Sequence, residues 1–78
     1  MTNQERAMKQ YRFITIQQVN DELFQGKPVY RVFNNKDRNQ IATLSWYKPW
    51  KQYVFSSHEG CVFNNICLRD VLDFMETP

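Results

Sequence analysis

The fold of this chain is decided by one stretch, Trp46-Tyr47-Lys48-Pro49-Trp50-Lys51-Gln52-Tyr53-Val54-Phe55, which places five aromatic residues around a single proline. Proline suits the second position of a β-turn, because its fixed φ matches the φ of that position. With Pro49 in that position, residues 48–51 form the turn and Tyr47 lies opposite Gln52. The stretch therefore predicts a tight β-hairpin.

The two faces of this hairpin differ in composition, because successive side chains of a strand point to opposite sides. One face is apolar and carries Leu44, Trp46, Tyr53 and Phe55. The other face is half polar and carries Thr43, Ser45, Tyr47, Gln52 and Val54. We expect the first face to lie in the core and the second to face water.

The remaining strands are predicted from short runs rich in β-branched and aromatic residues. Together with the arms of the hairpin they give four strands, at residues 11–16, 29–33, 41–47 and 51–56. Turn-forming residues at 20–22 and 26–28 separate the first two strands. In the second strand, Tyr30 and Val32 are expected to point inward, because Arg31 alternates with them.

A C-terminal helix is predicted after Asn64, a favourable N-cap residue with Phe63 and Leu68 placed as a hydrophobic staple. The helix has apolar residues at the spacing of one helical face, namely Leu68, Val71, Leu72 and Met75. We expect this stripe to pack on the apolar face of the sheet.

The predicted fold class is therefore α+β, with about four antiparallel strands in a meander and one C-terminal helix packed on the sheet. A length of 78 residues suits one small domain. We expect residues 11–78 to form that domain. Residues 1–10 are polar, and we expect them to be a flexible or short helical N-terminal tail.

The charge of the chain is concentrated in its middle. Residues 27–51 hold six basic residues against one acidic residue, a net charge of +5, whereas residues 52–78 carry −3 and the whole chain +2. A total of +2 is small for a dedicated nucleic-acid binder, but the basic segment suits an acidic partner. The content of 42% hydrophobic and 15% aromatic residues excludes a wholly disordered protein.

No pattern in the sequence predicts catalysis, a metal or a cofactor. His58, Cys61 and Cys67 are too few for a closed zinc site, which takes four ligands. A nucleophile–base pair of Cys61 and His58 has no recognisable oxyanion hole beside it. Asp70 and Asp73 are interpreted as the solvated edge of the helix. We therefore predict a non-enzymatic protein with a loop histidine and two structural thiols.

The sequence contains no segment that predicts export or membrane insertion. No stretch approaches the roughly 18 apolar residues of a membrane span, and no N-terminal apolar run resembles a signal peptide. Two cysteines are too few for a disulfide scaffold, and free thiols suit a reducing compartment. We therefore expect a cytoplasmic protein that does not bind membranes.

The hairpin turn supplies the predicted binding residues, which are Tyr47, Lys48, Trp50 and Lys51. An exposed tyrosine–tryptophan pair beside lysines has the composition of a protein-binding hot spot. Aromatic residues interleaved with lysines also suit stacking on single-stranded nucleic acid. The alternation argument weighs against stacking, because it places three of the five aromatic residues of the hairpin in the core.

Two motifs carry a resemblance to known proteins: W-Y-x-P-W-x-x-Y-V-F at residues 46–55 and V-F-x-x-x-C-L-x-D-V-L-x-F at residues 62–74. With them the chain resembles a group of small uncharacterised proteins from bacterial genomes and mobile elements. The similarity covers roughly residues 30–74. It implies a compact fold of a sheet and a helix, and a phage or mobile-element origin.

The predicted function is that of a small non-catalytic binding module that acts by stoichiometric contact with another protein. The resemblance implies that this partner is a host component. The alternative is a nucleic-acid-binding module that uses the basic region 27–51. A monomer and a small homo-oligomer both remain open, because an edge strand can pair across a dimer or be covered by the N-terminal tail.

Overall fold

The structure, a computed structural model, describes residues 8–76, apart from the side chains of residues 20–22. It is an antiparallel five-stranded sheet in which every strand lies beside its neighbour in sequence, with one C-terminal helix packed on the sheet. The predicted α+β fold is confirmed. The strands are β1 (Met8–Gln10), β2 (Ile14–Phe24), β3 (Lys27–Asn34), β4 (Gln40–Tyr47) and β5 (Gln52–Ser57), and the helix is α1 (Asn65–Glu76).

The sheet has one strand more than the sequence patterns indicated. Residues 8–10, at the end of the predicted tail, pair with β2 so that Lys9 lies opposite Ile16. Three residues are too short for a recognisable alternation pattern, and the strand forms because the edge of β2 offers hydrogen-bonding partners. Residues 1–7 of that tail lie outside the described residues.

Strand β2 is longer than expected and starts later. It begins at Ile14 and continues through residues 20–22, which the sequence analysis assigned to a turn. The pairing with β3 shifts register between Gln18 and Leu23. The polar residues 20–22 lie in this irregular part of the strand, where extra residues are inserted relative to β3. The chain reverses at Gln25 and Gly26, whose φ angles are 55° and 84°. Positive φ at both central residues is typical of a two-residue hairpin turn.

The predicted hairpin is confirmed in its register. Tyr47 pairs with Gln52, and the two pairs that follow on the helix-covered face are Trp46–Tyr53 and Leu44–Phe55. The turn is a short 3-10 helix, Lys48–Trp50. Its closing residue, Lys51, has a left-handed backbone with φ 53° and donates its amide to the Lys48 carbonyl over 3.0 Å.

The core lies between α1 and one face of the sheet. Ile16, Val32 and Ala42 are fully buried and adjacent across three strands, because Val32 pairs with both Ile16 and Ala42. The full core cluster is Ile14, Ile16, Val32, Ile41, Ala42, Leu44, Cys67, Val71 and Phe74. Tyr30 packs against this cluster, so the predicted inward direction of Tyr30 and Val32 is confirmed.

The predicted helical stripe is wrong in its rotation. Leu68 and Leu72 remain 47% and 51% exposed, and the buried residues of α1 are Cys67, Val71 and Phe74. These three also recur at helical spacing, so the sequence offered two overlapping stripes. The Phe74 ring decides between them, because it packs edge-to-face on Tyr30 with ring centroids 5.0 Å apart.

The start of α1 agrees with the predicted cap. The side-chain oxygen of Asn64 accepts a hydrogen bond from the Cys67 amide at 2.7 Å, so the N-cap is confirmed. Phe63 packs edge-to-face on Phe55 of the sheet, with ring centroids 5.1 Å apart. Within residues 8–76, no helix has the length and apolar character needed to cross a membrane.

The end of the sheet where β2 begins, which we call the loop end, is closed by Asn35. Its side-chain amide donates to the carbonyl of Tyr11 at 2.9 Å, and its side-chain oxygen accepts from the Thr15 hydroxyl. The Asn35 backbone amide donates to the carbonyl of Phe13 at 2.9 Å. One asparagine thus joins the β3–β4 loop to the segment that leads into β2.

Candidate interaction surface

The opposite end of the sheet brings two turns together. The Lys48 amide donates a hydrogen bond to the side-chain oxygen of Gln25 at 2.9 Å, which joins the β4–β5 turn to the β2–β3 turn. The predicted binding residues therefore lie beside the end of β2, where Leu23 and Phe24 are 64% and 48% exposed. We call this end the tip surface and define it by Leu23, Phe24, Tyr47, Lys48, Trp50 and Lys51.

Trp50 is the most prominent aromatic side chain of the tip surface. It is 64% exposed, in agreement with its expected position at the point of the turn. Its ring meets the ring of Tyr47 at 90°, with centroids 5.0 Å apart. Edge-to-face pairs of this kind add about 0.5–1.5 kcal/mol beyond area burial. Tyr47 therefore packs against one side of the indole and leaves most of it accessible.

The charged groups described at the two turns are lysines. Lys48 and Lys51 flank Trp50 and are exposed, and Lys27 begins β3. The Lys27 ammonium lies 4.9 Å from the centroid of the Trp46 ring, a cation–π contact. The tip surface thus combines exposed apolar groups with positive charge.

Trp46 lies on the expected face of the hairpin but at the margin of the core. Its ring is half-buried, packs edge-to-face on Tyr53 at 5.5 Å and is covered on another side by Lys27. The alternation pattern predicts a core position for Trp46 but contains no information on its depth. The reason for the partial burial is its position near the end of β4, whereas α1 covers the middle of the sheet.

Tyr53 fastens β5 to β3 beneath the tip surface. Its hydroxyl donates to the carbonyl of Pro28 at 2.8 Å, and its ring packs against Tyr30 at 5.8 Å. Burial raises the pKa of Tyr53 to about 12, with a smaller contribution from the neighbouring Tyr30. The phenol is therefore a neutral hydrogen-bond donor at physiological pH.

The histidine and the cysteines do not form a common site in this structure. The His58 ring nitrogen Nε2 lies 3.3 Å from the Thr43 hydroxyl, so the ring faces β4. Cys67 is buried in the core, and Cys61 packs at its margin. Both thiols are free. In the described part of the chain, no three potential metal-ligating side chains come together.

Of the two helical carboxylates, Asp73 is exposed as expected, with a side-chain exposure of 51%, and it also makes contacts within the chain. Asp73 accepts a hydrogen bond from the Tyr11 hydroxyl at 2.9 Å and lies 3.6 Å from the Lys9 ammonium. These contacts attach α1 to β1 and to the segment before β2. Asp73 therefore links α1 to these segments through exposed contacts, which contribute modestly to stability.

Sequence reasoning missed the contribution of β2 to the tip surface. Leu23 and Phe24 were not assigned to any strand, because residues 20–22 were interpreted as a turn. The useful signal was Gly26, since a glycine between two β-forming segments favours a two-residue turn. That turn places Phe24 directly opposite Lys27.

Comparison with known proteins gives no relative from which a role can be transferred. No protein family model, no curated protein and no solved structure matches this chain.

Proposed function

We propose that the protein is a small non-catalytic binding module that contacts another protein through the tip surface. The observation that carries this proposal is the exposed Trp50 ring, held by Tyr47 and flanked by Lys48 and Lys51. Tryptophan and tyrosine are enriched among the residues that dominate binding energy at protein interfaces. Leu23 and Phe24 of the tip surface are exposed as well, and a grouped exposed apolar patch is typical of a protein-binding site.

Pre-organisation supports a role for the tip surface in binding. The bond between Lys48 and Gln25 joins the turn to the end of β2, and the ring of Tyr47 packs against Trp50, so both contacts favour one arrangement of the surface. A side chain that is already ordered loses less conformational entropy when a partner binds. The tip surface is therefore suited to insert one rigid aromatic group into a pocket.

The lysines indicate the chemistry of the partner. Positive charge around an apolar centre favours an acidic surface that surrounds an apolar pocket. We propose a protein of the host cell as the partner, a step that rests on the resemblance to mobile-element proteins and is an analogy.

Nucleic-acid binding through the basic region 27–51 is the second candidate function. Lys27, Lys48 and Lys51 favour it, since phosphate contacts need positive charge. Stacking platforms for single strands present several accessible ring faces in succession. Of the hairpin rings, Trp46, Tyr53 and Phe55 are half-buried on the helix side, and Tyr47 is perpendicular to Trp50. This arrangement supports protein contact over stacking.

The test is affinity purification from host extract with wild-type protein and the variant Trp50→Ala. Truncation of a hot-spot residue costs at least ~2 kcal/mol, or about a thirtyfold loss of affinity. We expect the wild-type protein to retain its partner after nuclease treatment. We expect the Trp50→Ala variant to lose the partner with and without nuclease. The matched control is Val62→Ala, because Val62 is an apolar residue outside the tip surface that is even more exposed than Trp50, 89% against 64%.

Two outcomes would contradict protein contact at the tip surface. One is an unchanged amount of partner on Trp50→Ala. The other is loss of the bound material on nuclease treatment, which would support nucleic-acid binding. A salt titration of purified components then distinguishes the two functions, because phosphate contacts make affinity fall steeply with salt.

A further inference from the structure

The two edges of the sheet differ in how they are protected. β1 forms one edge with three residues that include Lys9, and short charged strands resist further pairing. β5 forms the other edge, and within residues 8–76 it pairs only with β4. Its six residues, Gln52–Ser57, contain no charge and no proline. Their pairing with β4 is continuous, without a bulge.

The edge of β5 therefore has the features of a strand that accepts another strand. Natural proteins prevent pairing at edges with charges, prolines or bulges within the strand. β5 has none of these, and its backbone lies extended over six residues. The edge offers a regular row of amide and carbonyl groups to an added strand.

The charges that flank β5 select the orientation of that added strand. Lys51 immediately precedes β5, and Glu59 lies two residues after its end. If a second copy pairs antiparallel, the beginning of one β5 lies beside the end of the other. With Val54 opposite its own copy, Lys51 of each copy lies opposite Ser57 of the second copy, two residues before Glu59 and within reach of a long side chain, and the attraction occurs twice by symmetry. Parallel pairing would instead bring like charges together.

The side chains of β5 are also self-complementary in an antiparallel register. When Val54 lies opposite its own copy, Tyr53 lies opposite Phe55 of the second copy on the helix-covered face. Aromatic pairs across strands are favourable. On the other face, Gln52 lies opposite Ser56 of the second copy, and both are uncharged and exposed. This register places no like charges opposite each other within β5.

We infer that the protein forms a two-fold symmetric dimer in which β5 pairs antiparallel with β5 of a second copy. The product is one continuous sheet of ten strands, twice the five strands found in residues 8–76 of one copy. A strand pair of this length buries less area than a standard interface, so the dimer is weak and dissociates at roughly micromolar concentration. The inference goes beyond the proposed function and does not depend on it.

The first test is sedimentation velocity over a concentration series with the intact chain. Wild type is expected to change reversibly from monomer to dimer. Val54→Lys places two ammonium groups opposite each other at the two-fold axis and is expected to stay monomeric. The matched control is Gln10→Lys, because Gln10 is an exposed residue on the same face of the sheet, in β1 at the opposite edge, and lies opposite the uncharged Thr15. This control is expected to dimerise like wild type.

The second test uses charge exchange at positions outside β5, where the fold is least affected. Lys51→Glu and Glu59→Lys each create two like-charge contacts and are expected to weaken the dimer by about tenfold. The double variant restores both attractions and is expected to return close to the wild-type dissociation constant. A monomer at every concentration, a dimer unaffected by Val54→Lys, or a double variant without recovery would each overturn the inference.

Discussion

The loop end and the tip surface lie at opposite ends of the same sheet, yet their side chains are used differently. At the loop end, the polar groups of Asn35 bind the chain itself, at Tyr11 and Thr15. At the tip surface, one hydrogen bond between Lys48 and Gln25 joins the turns, and the large side chains remain accessible. The comparison indicates that the loop end is held together by several polar contacts within the chain, whereas the tip surface leaves its large side chains exposed; that these side chains bind a partner is our proposal.

The largest expected effect on stability is at the loop end, with Asn35→Ala. The change removes the hydrogen bonds to Tyr11 and Thr15 and leaves part-buried polar groups without this partner. We expect a loss of about 2–3 kcal/mol in the free energy of unfolding, measured by urea denaturation. The control is Asn39→Ala, in the same loop but exposed. If Asn35→Ala and Asn39→Ala are equally stable, the hydrogen bonds of Asn35 do not stabilise the loop end.

The next effect compares the two faces of the hairpin with Trp46→Ala and Tyr47→Ala. Trp46 is half-buried against Tyr53 and Lys27, so its truncation is expected to cost about 2 kcal/mol, below the value for a full core aromatic. Tyr47 is exposed, so Tyr47→Ala is expected to lower the free energy of unfolding by about 1 kcal/mol or less. Chemical denaturation measures both. A larger loss for Tyr47 would reverse the assignment of the two faces.

A smaller effect depends on pH and on Tyr53. Its pKa is raised to about 12, so the unfolded chain loses the phenol proton near pH 10 while the folded chain still binds it. The stabilisation is complete below pH 10 and is lost as the pH rises through 12. A pKa difference of two units corresponds to at most ~2.7 kcal/mol of stabilisation. Because Tyr53 is partly exposed, we expect about 1 kcal/mol.

The variant Tyr53→Phe isolates this contribution. Between pH 9 and pH 12, wild type is expected to lose about 1 kcal/mol more than Tyr53→Phe, because only wild type carries the shifted phenol. Denaturant titrations at several pH values measure the difference. Parallel pH profiles would show that Tyr53 is not held in its neutral form by the fold.

The smallest expected effect is the change in stability on Trp50→Ala. The ring is 64% exposed, and its described ring contact is with Tyr47. We expect a change of about 0.5 kcal/mol, well below the loss at Asn35. Thermal unfolding of the two variants side by side tests this contrast. A Trp50→Ala protein that melts as low as Asn35→Ala would make the tip surface a structural element.

The sequence predicted local geometry well where one residue restricts the backbone. Pro49 determined the turn, and the turn determined which hairpin residues share a face. Asn64 likewise determined the start of α1 through its own side chain. These features depend on interactions between residues that are close in sequence, so a single chain segment contains the necessary information.

The sequence predicted less where distant segments decide. The rotation of α1 depends on the contact of Phe74 with Tyr30, which lies in β3. The extension of β2 beyond residues 20–22 depends on the pairing of Leu23 and Phe24 with Pro28 and Lys27 of β3, which resumes after the register shift. Because residues 20–22 were predicted to form a turn, the sequence did not predict that Leu23 and Phe24 belong to the tip surface. The binding role of Tyr47 and Trp50 stays a prediction.

The meander also determines the order in which the chain can fold. Every strand pairs with its neighbour in sequence, so hairpins form by closing short loops, which costs little entropy and favours rapid folding. The bond between Tyr11 and Asp73 spans 62 residues and requires α1. We therefore expect the sheet to assemble from successive hairpins and α1 to dock last. Until it docks, the apolar face of the sheet is open to other chains, so aggregation competes with folding at this step.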